Sequence, residues 1–219
     1  MQKGKIIKEV QSYIKKEFGG DSTGHDWWHI FRVWKMAKEI AKKEGGDLFV
    51  IELGALLHDI ADWKFNDDEK AGSKKAKPLL EKLGVDQETV KHVCGIIDNV
   101  SFKGANVENG IKTLEGKVVQ DADRLDAMGA IGLARAFAYG AKANRELYNP
   151  KIKPMLNRSL KNYKKAYFST TINHFYEKLL LIKDRLNTKT AKKIAQPRHK
   201  FLENYLDEFF KEWNVEIRK

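Results

Sequence analysis

Two histidines stand four residues apart in GHDWWHIFRVW, residues 24–34, and an acid follows the first. His-Asp-x-x-His is one methylene short of the His-Glu-x-x-His word of zinc peptidases, in which both histidines sit on one helical face and the glutamate is the general base. Aspartate reaches less far, and His25 falls beside Gly24 at the boundary of the predicted helix, so the peptidase reading is not adopted. Two further stretches carry similar chemistry. In ELGALLHDIADWKF, residues 52–65, His58 and Asp59 stand side by side at the end of an apolar run. In VVQDADRLDAMGAIGLARAF, residues 118–137, Asp121, Asp123 and Asp126 interrupt another. Acids in so apolar a setting are costly unless paired or bound to a metal. At helical pitch Asp121 and Asp123 differ by about 200°, so they cannot face the same site, whereas Asp123 and Asp126 are neighbours. Each piece also has an ordinary reading: a core histidine satisfied by a hydrogen bond, a His-Asp pair of no consequence, a salt-bridge cluster around Arg124. Their combination, with apolar flanks on separate predicted helices, points to a metal centre.

The elements that would position these residues read as helices almost throughout. Apolar residues recur at three- and four-residue spacing over 3–18, 26–44, 47–61, 67–83, 86–99, 115–127 and 129–146. Breaks come at GGDSTG, GGD and SFKGANVENG. Two longer helices are predicted near 155–185 and 188–212, set off by Pro150, Pro154 and Pro197. No run alternates at period two, so the predicted fold class is all-α. Asp21, Ser22 and Thr23 offer caps for the second helix, on which His29, Val33, Met36 and Ile40 form one stripe. Leu53, Leu56, Leu57 and Ile60 mark the buried face of the third.

Composition narrows the class. With 42% hydrophobic and 32% charged residues, the chain of 219 reads as a soluble globular protein. No apolar run approaches the roughly 18 residues of a membrane span, and the Lys- and Glu-rich start is unlike a secretory signal. Cys94, the only cysteine, excludes an internal disulfide framework. A cytoplasmic address and no membrane partner are expected. Charge is uneven. Residues 1–150 carry 24 Lys and Arg against 23 acids, whereas 151–200 carry 14 against 2. This divides the chain at NPKIKP into a balanced core, 1–150, and a basic extension, 151–219, expected to pack on it. Lys151, Lys153, Arg158, Lys161, Lys164 and Lys165 would line the site if the extension folds over it. The alternatives are an oligomer contact, such as a homodimer, a solvated surface, or a nucleic-acid grip. Tyr163, Tyr167, Phe168 and Phe175 could stack on bases, though their spacing fits a core stripe better.

The order His29, His58-Asp59, Asp123, with the flanks quoted above, resembles the HD-domain phosphohydrolases, in particular their small stand-alone bacterial branch. The resemblance is strong over about 20–145. It implies a helical bundle with additional C-terminal helices and one or two divalent metals held by His29, His58, Asp59 and Asp123. Two imidazoles and two carboxylates without thiolate suit Mn²⁺ first, with Mg²⁺, Fe²⁺, Co²⁺, Ni²⁺ and Zn²⁺ as alternatives. It also implies roles for neighbours. Asp62 would be the general base or water-orienting acid, with Asp59 counted as catalytic as well as metal-holding. His25, Arg32 and Lys64 would contact substrate phosphate, with Arg32 alternatively anchoring Asp59. Asp126 would hold a histidine ligand in its tautomer. Gly129 and Gly132 serve close helix packing. The implied activity is cleavage of nucleoside or deoxynucleoside triphosphates to monophosphate and pyrophosphate. The alternatives are a phosphomonoesterase or phosphodiesterase on another small phosphate, or a binding module that uses the basic segment.

Overall fold

The computed structural model describes residues 3–18, 26–61, 68, 70–100, 110–156 and 169–215. Among them there are nine α-helices and no strand: α1 (Lys3–Glu17), α2 (Trp27–Glu44), α3 (Leu48–Leu57), α4 (Ala71–Lys82), α5 (Gln87–Val100), α6 (Leu114–Asp126), α7 (Gly129–Lys142), α8 (Thr171–Glu177) and α9 (Lys189–Trp213). The all-α class is as the spacing predicts.

α2, α3 and α6 pack on one another at the centre, with α1 against α3 and the α4–α5 pair covering the other side. Their contact is the apolar stripe of each helix. Ile30, Val33 and Ile40 of α2, Leu53, Leu56 and Leu57 of α3, and Val118, Ala122 and Leu125 of α6 are all fully buried. α3 is apolar but for Glu52, and all its residues except Leu48 and Glu52 are buried. Side-chain caps start α2 and α3. Asp26 accepts from the His29 N–H at 3.0 Å and Asp47 from the Phe49 N–H at 2.8 Å. The cap of α2 is therefore Asp26, while Asp21, Ser22 and Thr23 lie outside the described residues.

The C-terminal segment is tied to this bundle. α9 lies along α7, α2 and α6. Asp121, buried on α6, accepts from the Asn187 N–H and Nδ2, both at 2.8 Å, and from the Thr188 N–H and hydroxyl, both at 2.7 Å. Thr188 in turn caps α9, and Glu44 at the end of α2 accepts from the Thr190 N–H at 2.6 Å.

The long helix predicted near 155–185 is not found in the described part of that range. Residues 153–156 and 169–170 have no helical assignment, α8 is two turns long, and two 3₁₀ turns follow at Leu179–Leu181 and Lys183–Arg185. Thr170 restarts the chain as an N-cap, and Lys178, at φ −143°, stops α8. Short turns bury alternate apolar residues of a leucine run as readily as one helix does. Phe175 belongs to the core, fully buried and stacked on Tyr205 at 5.7 Å, so it is not a base-stacking surface. Tyr163, Tyr167 and Phe168 lie outside the described residues. No helix among those described is long and apolar enough to cross a membrane.

Candidate metal centre

His29 comes from the first turn of α2, His58 and Asp59 from just beyond α3, and Asp123 from the last turns of α6. α3 ends at Leu57, earlier than the apolar pattern suggests, and His58 is its C-cap. That early end matters. Successive helical residues diverge by about 100°, so a turn after His58 lets Asp59 swing back to the same point.

His29 Nε2 lies 3.2 Å from His58 Nε2, 3.4 Å from Asp59 Oδ2 and 3.5 Å from Asp123 Oδ1. His58 Nε2 lies 3.5 Å and 3.8 Å from the same two oxygens. Donors around an ion at about 2.1 Å stand about 3.0 Å apart at neighbouring octahedral positions and about 3.4 Å apart on a tetrahedron. His29, His58 and Asp59 match that spacing, while Asp123 Oδ1, at 3.5 Å and 3.8 Å from the two nitrogens, stands at the wider edge of the set.

The opposite nitrogens identify the tautomers. His58 Nδ1 is 2.8 Å from the Ala55 carbonyl oxygen, which only accepts, so Nδ1 carries the proton. His29 Nδ1 is 2.7 Å from Asp126 Oδ2 and donates likewise. In the neutral rings both Nε2 lone pairs then face each other beside two carboxylates. A divalent cation resolves this repulsion and suits the mixed nitrogen and oxygen donors. The residues fit a metal.

The sequence profile of the HD domain matches residues 27–128, which include all four donors. YpgQ of Bacillus subtilis is 34% identical over 213 residues, 97% of this chain and 96% of YpgQ. The chain belongs to the HD-domain phosphohydrolase superfamily. An HD-superfamily hydrolase from Bacillus thuringiensis is 45% identical, with 98% of this chain and 100% of that one aligned at a TM-score of 0.76. A Lactobacillus plantarum protein aligns at a TM-score of 0.87 with 34% identity over 97% of this chain and 98% of its own. The crystal structure of YpgQ in complex with ADP aligns over 97% of each chain, at 33% identity and a TM-score of 0.77.

In this HD domain the histidines form the floor and the carboxylates the mouth. The His29 and His58 side chains are 1% exposed, those of Asp59 and Asp123 17% and 28%. Asp126 sits behind His29 and accepts from four groups. Arg32 Nε reaches Oδ1 at 2.7 Å, and Arg32 Nη2 (3.0 Å), Arg135 Nη1 (2.7 Å) and His29 Nδ1 converge on Oδ2. Burial alone would raise its pKa, but the His29 and Arg32 hydrogen bonds hold Asp126 ionised, its pKa well below the usual carboxylate range. The carboxylate on which Arg32 closes is thus that of Asp126. Asp121 faces the other side of α6, as the 200° separation requires. His25, Asp62 and Lys64 lie outside the described residues, as do Arg158, Lys161, Lys164 and Lys165. Lys151 and Lys153 are exposed.

Arg135 and the role of Asp121 are not among the features that spacing or the resemblance marks. Arg135 is the lone charge between Gly129 and Gly140, and a charge on so apolar a helix calls for a partner. That is a signal, though it does not name Asp126.

Acid should release the metal. Burial lowers the pKa of His29, yet hydrogen bonds to Asp126 and then Asp59 raise it above the ordinary 6.5 in the metal-free protein. A proton therefore competes for Nε2 from above that value downward. Without metal, this raised pKa contributes stability that is full below the unfolded value and lost as pH rises through the folded one. The expected result is that the melting-temperature gain from added Mn²⁺, large at pH 8.5, shrinks steadily towards pH 6. A gain that is constant over this range would contradict it.

Proposed function

We propose that this HD-superfamily hydrolase is a metal-dependent nucleotide pyrophosphohydrolase, cleaving nucleoside or deoxynucleoside triphosphates to monophosphate and pyrophosphate. The observation that carries it is the convergence of two imidazole lone pairs and two carboxylates at a half-open mouth. The ADP complex of YpgQ supports a nucleotide as the substrate class.

His29, His58, Asp59 and Asp123 hold the ion, Mn²⁺ in this reading. When bound, it lowers the pKa of water and neutralises phosphoryl charge. The remaining work falls to side chains. Asp126 keeps the His29 proton on Nδ1, leaving Nε2 as a donor. Asp62 takes a proton from the attacking water, His25 and Lys64 hold phosphate oxygens, and Arg32 secures Asp126. The water oxygen bonds to the α-phosphorus, the α–β bridging P–O bond breaks, and pyrophosphate leaves with the bond pair. Triphosphate and water thus give monophosphate, pyrophosphate and a proton.

The test is a nucleotide panel with Mn²⁺ and separate detection of phosphate, pyrophosphate and triphosphate. Pyrophosphate as the inorganic product from at least one triphosphate is the expected result. Orthophosphate from monophosphates, or cleavage of diesters alone, would favour the other phosphohydrolase activities and overturn this one.

A further inference from the structure

We propose that Arg135 is a positioning residue for the metal centre, acting through Asp126 on His29. The inference rests on the reading that the four donors hold a divalent ion. It adds a residue from a helix that contributes no donor.

Asp126 is the last residue of α6, one turn beyond Asp123. Its carboxylate must be fixed in orientation if its Oδ2 is to direct the ring of His29. Arg32 grips both oxygens, but Arg32 lies three residues after His29 on α2 and moves with it. That fork ties Asp126 to α2 and gives no reference outside the pair. Arg135 supplies one from α7. Its Nη1 lies 2.7 Å from Oδ2, the same oxygen that accepts from His29, and its side chain is only 15% exposed.

The α6–α7 joint sets where Arg135 arrives. Gly129 has φ +67°, in the left-handed region. A Cβ at Gly132 would lie 2.2 Å from the Ala127 backbone. The start of α7 therefore folds closely against the end of α6, and Arg135, nine residues after Asp126, turns back onto it. Contacts from α2, α6 and α7 together leave the carboxylate one orientation.

The test uses the full-length protein. Arg135→Gln should weaken Mn²⁺ binding about 10- to 100-fold by calorimetry, the usual effect of removing a partner behind a ligand, and Arg135→Lys should recover much of it. In an Asp126→Asn background the Arg135→Gln change should cost no further affinity. Nitrogen-15 spectra of the metal-free protein at pH 9 should show the His29 proton on Nδ1 in the wild type and mixed tautomers in Arg135→Gln. Unchanged affinity in Arg135→Gln, or an equal loss with and without Asp126, would overturn the proposal. Wild-type protein that takes no Mn²⁺ would refute the metal reading instead, and the tautomer spectra would then decide Arg135. If Arg135→Gln does not fold, Arg135→Met takes its place in the same measurements: weakened Mn²⁺ binding that disappears as a difference in the Asp126→Asn background is expected, and wild-type affinity, or an equal loss in both backgrounds, would overturn the proposal.

Discussion

Asp123→Asn should abolish Mn²⁺ binding and nucleotide hydrolysis together, with turnover down roughly 10³-fold or more, because a carboxylate ligand is exchanged for a neutral amide at a charged centre. Asp123 Oδ1 stands 3.5 Å and 3.8 Å from the two Nε2 atoms, at the wider edge of the His29, His58 and Asp59 cluster. The side chain is partly exposed, so the asparagine variant should fold and melt close to the metal-free wild type. His29→Ala should likewise lose the ion and turnover, at an added cost in stability because His29 is buried against Asp126. His25→Ala should leave the ion in place and weaken substrate binding or rate. Calorimetry with Mn²⁺ on the three variants separates these results. Equal metal loss in His25→Ala would restore the His25–His29 pair as the site, and full metal affinity in Asp123→Asn would remove Asp123 from it.

Asp121→Ala should give the largest loss of stability among the residues discussed, about 3 kcal/mol, since four donors lose a buried acceptor at once. For a chain of this size that corresponds to roughly 6–12 °C in melting temperature. The donors belong to Asn187 and Thr188, so the C-terminal helix should loosen first. Amide exchange ought to rise at the start of α9 before it rises in α2 or α3. A loss under about 1 kcal/mol by urea titration, with α9 still protected, would mean that the apolar face of α9 holds it without this tie.

These two aspartates show what a one-dimensional reading can and cannot reach. Helical pitch separates Asp121 from Asp123 because both lie on one continuous helix, and the structure turns them to opposite faces. Burial of Leu53, Leu56, Leu57 and Ile60 is legible for the same reason: local spacing alone determines it. The end of α3 is not legible, because Ile60 continues the apolar pattern past Leu57 while the chain leaves the helix to aim Asp59. Nor is the partner of Asp121, which lies 66 residues away in a segment whose spacing suits one helix or several short turns. The family words mark His29, His58, Asp59 and Asp123. Arg135 stands inside the third of those words, but on a helix whose glycines speak only of packing, and its contact with Asp126 exists only once α6 and α7 have folded together.

The most direct measurement follows the oxygen. Turnover of a triphosphate with Mn²⁺ in ¹⁸O-water, with the products weighed by mass spectrometry, should place one label in the nucleoside monophosphate and leave pyrophosphate unlabelled. Label in pyrophosphate or orthophosphate, or no turnover of any triphosphate by metal-loaded protein, would contradict hydrolysis at the α-phosphorus.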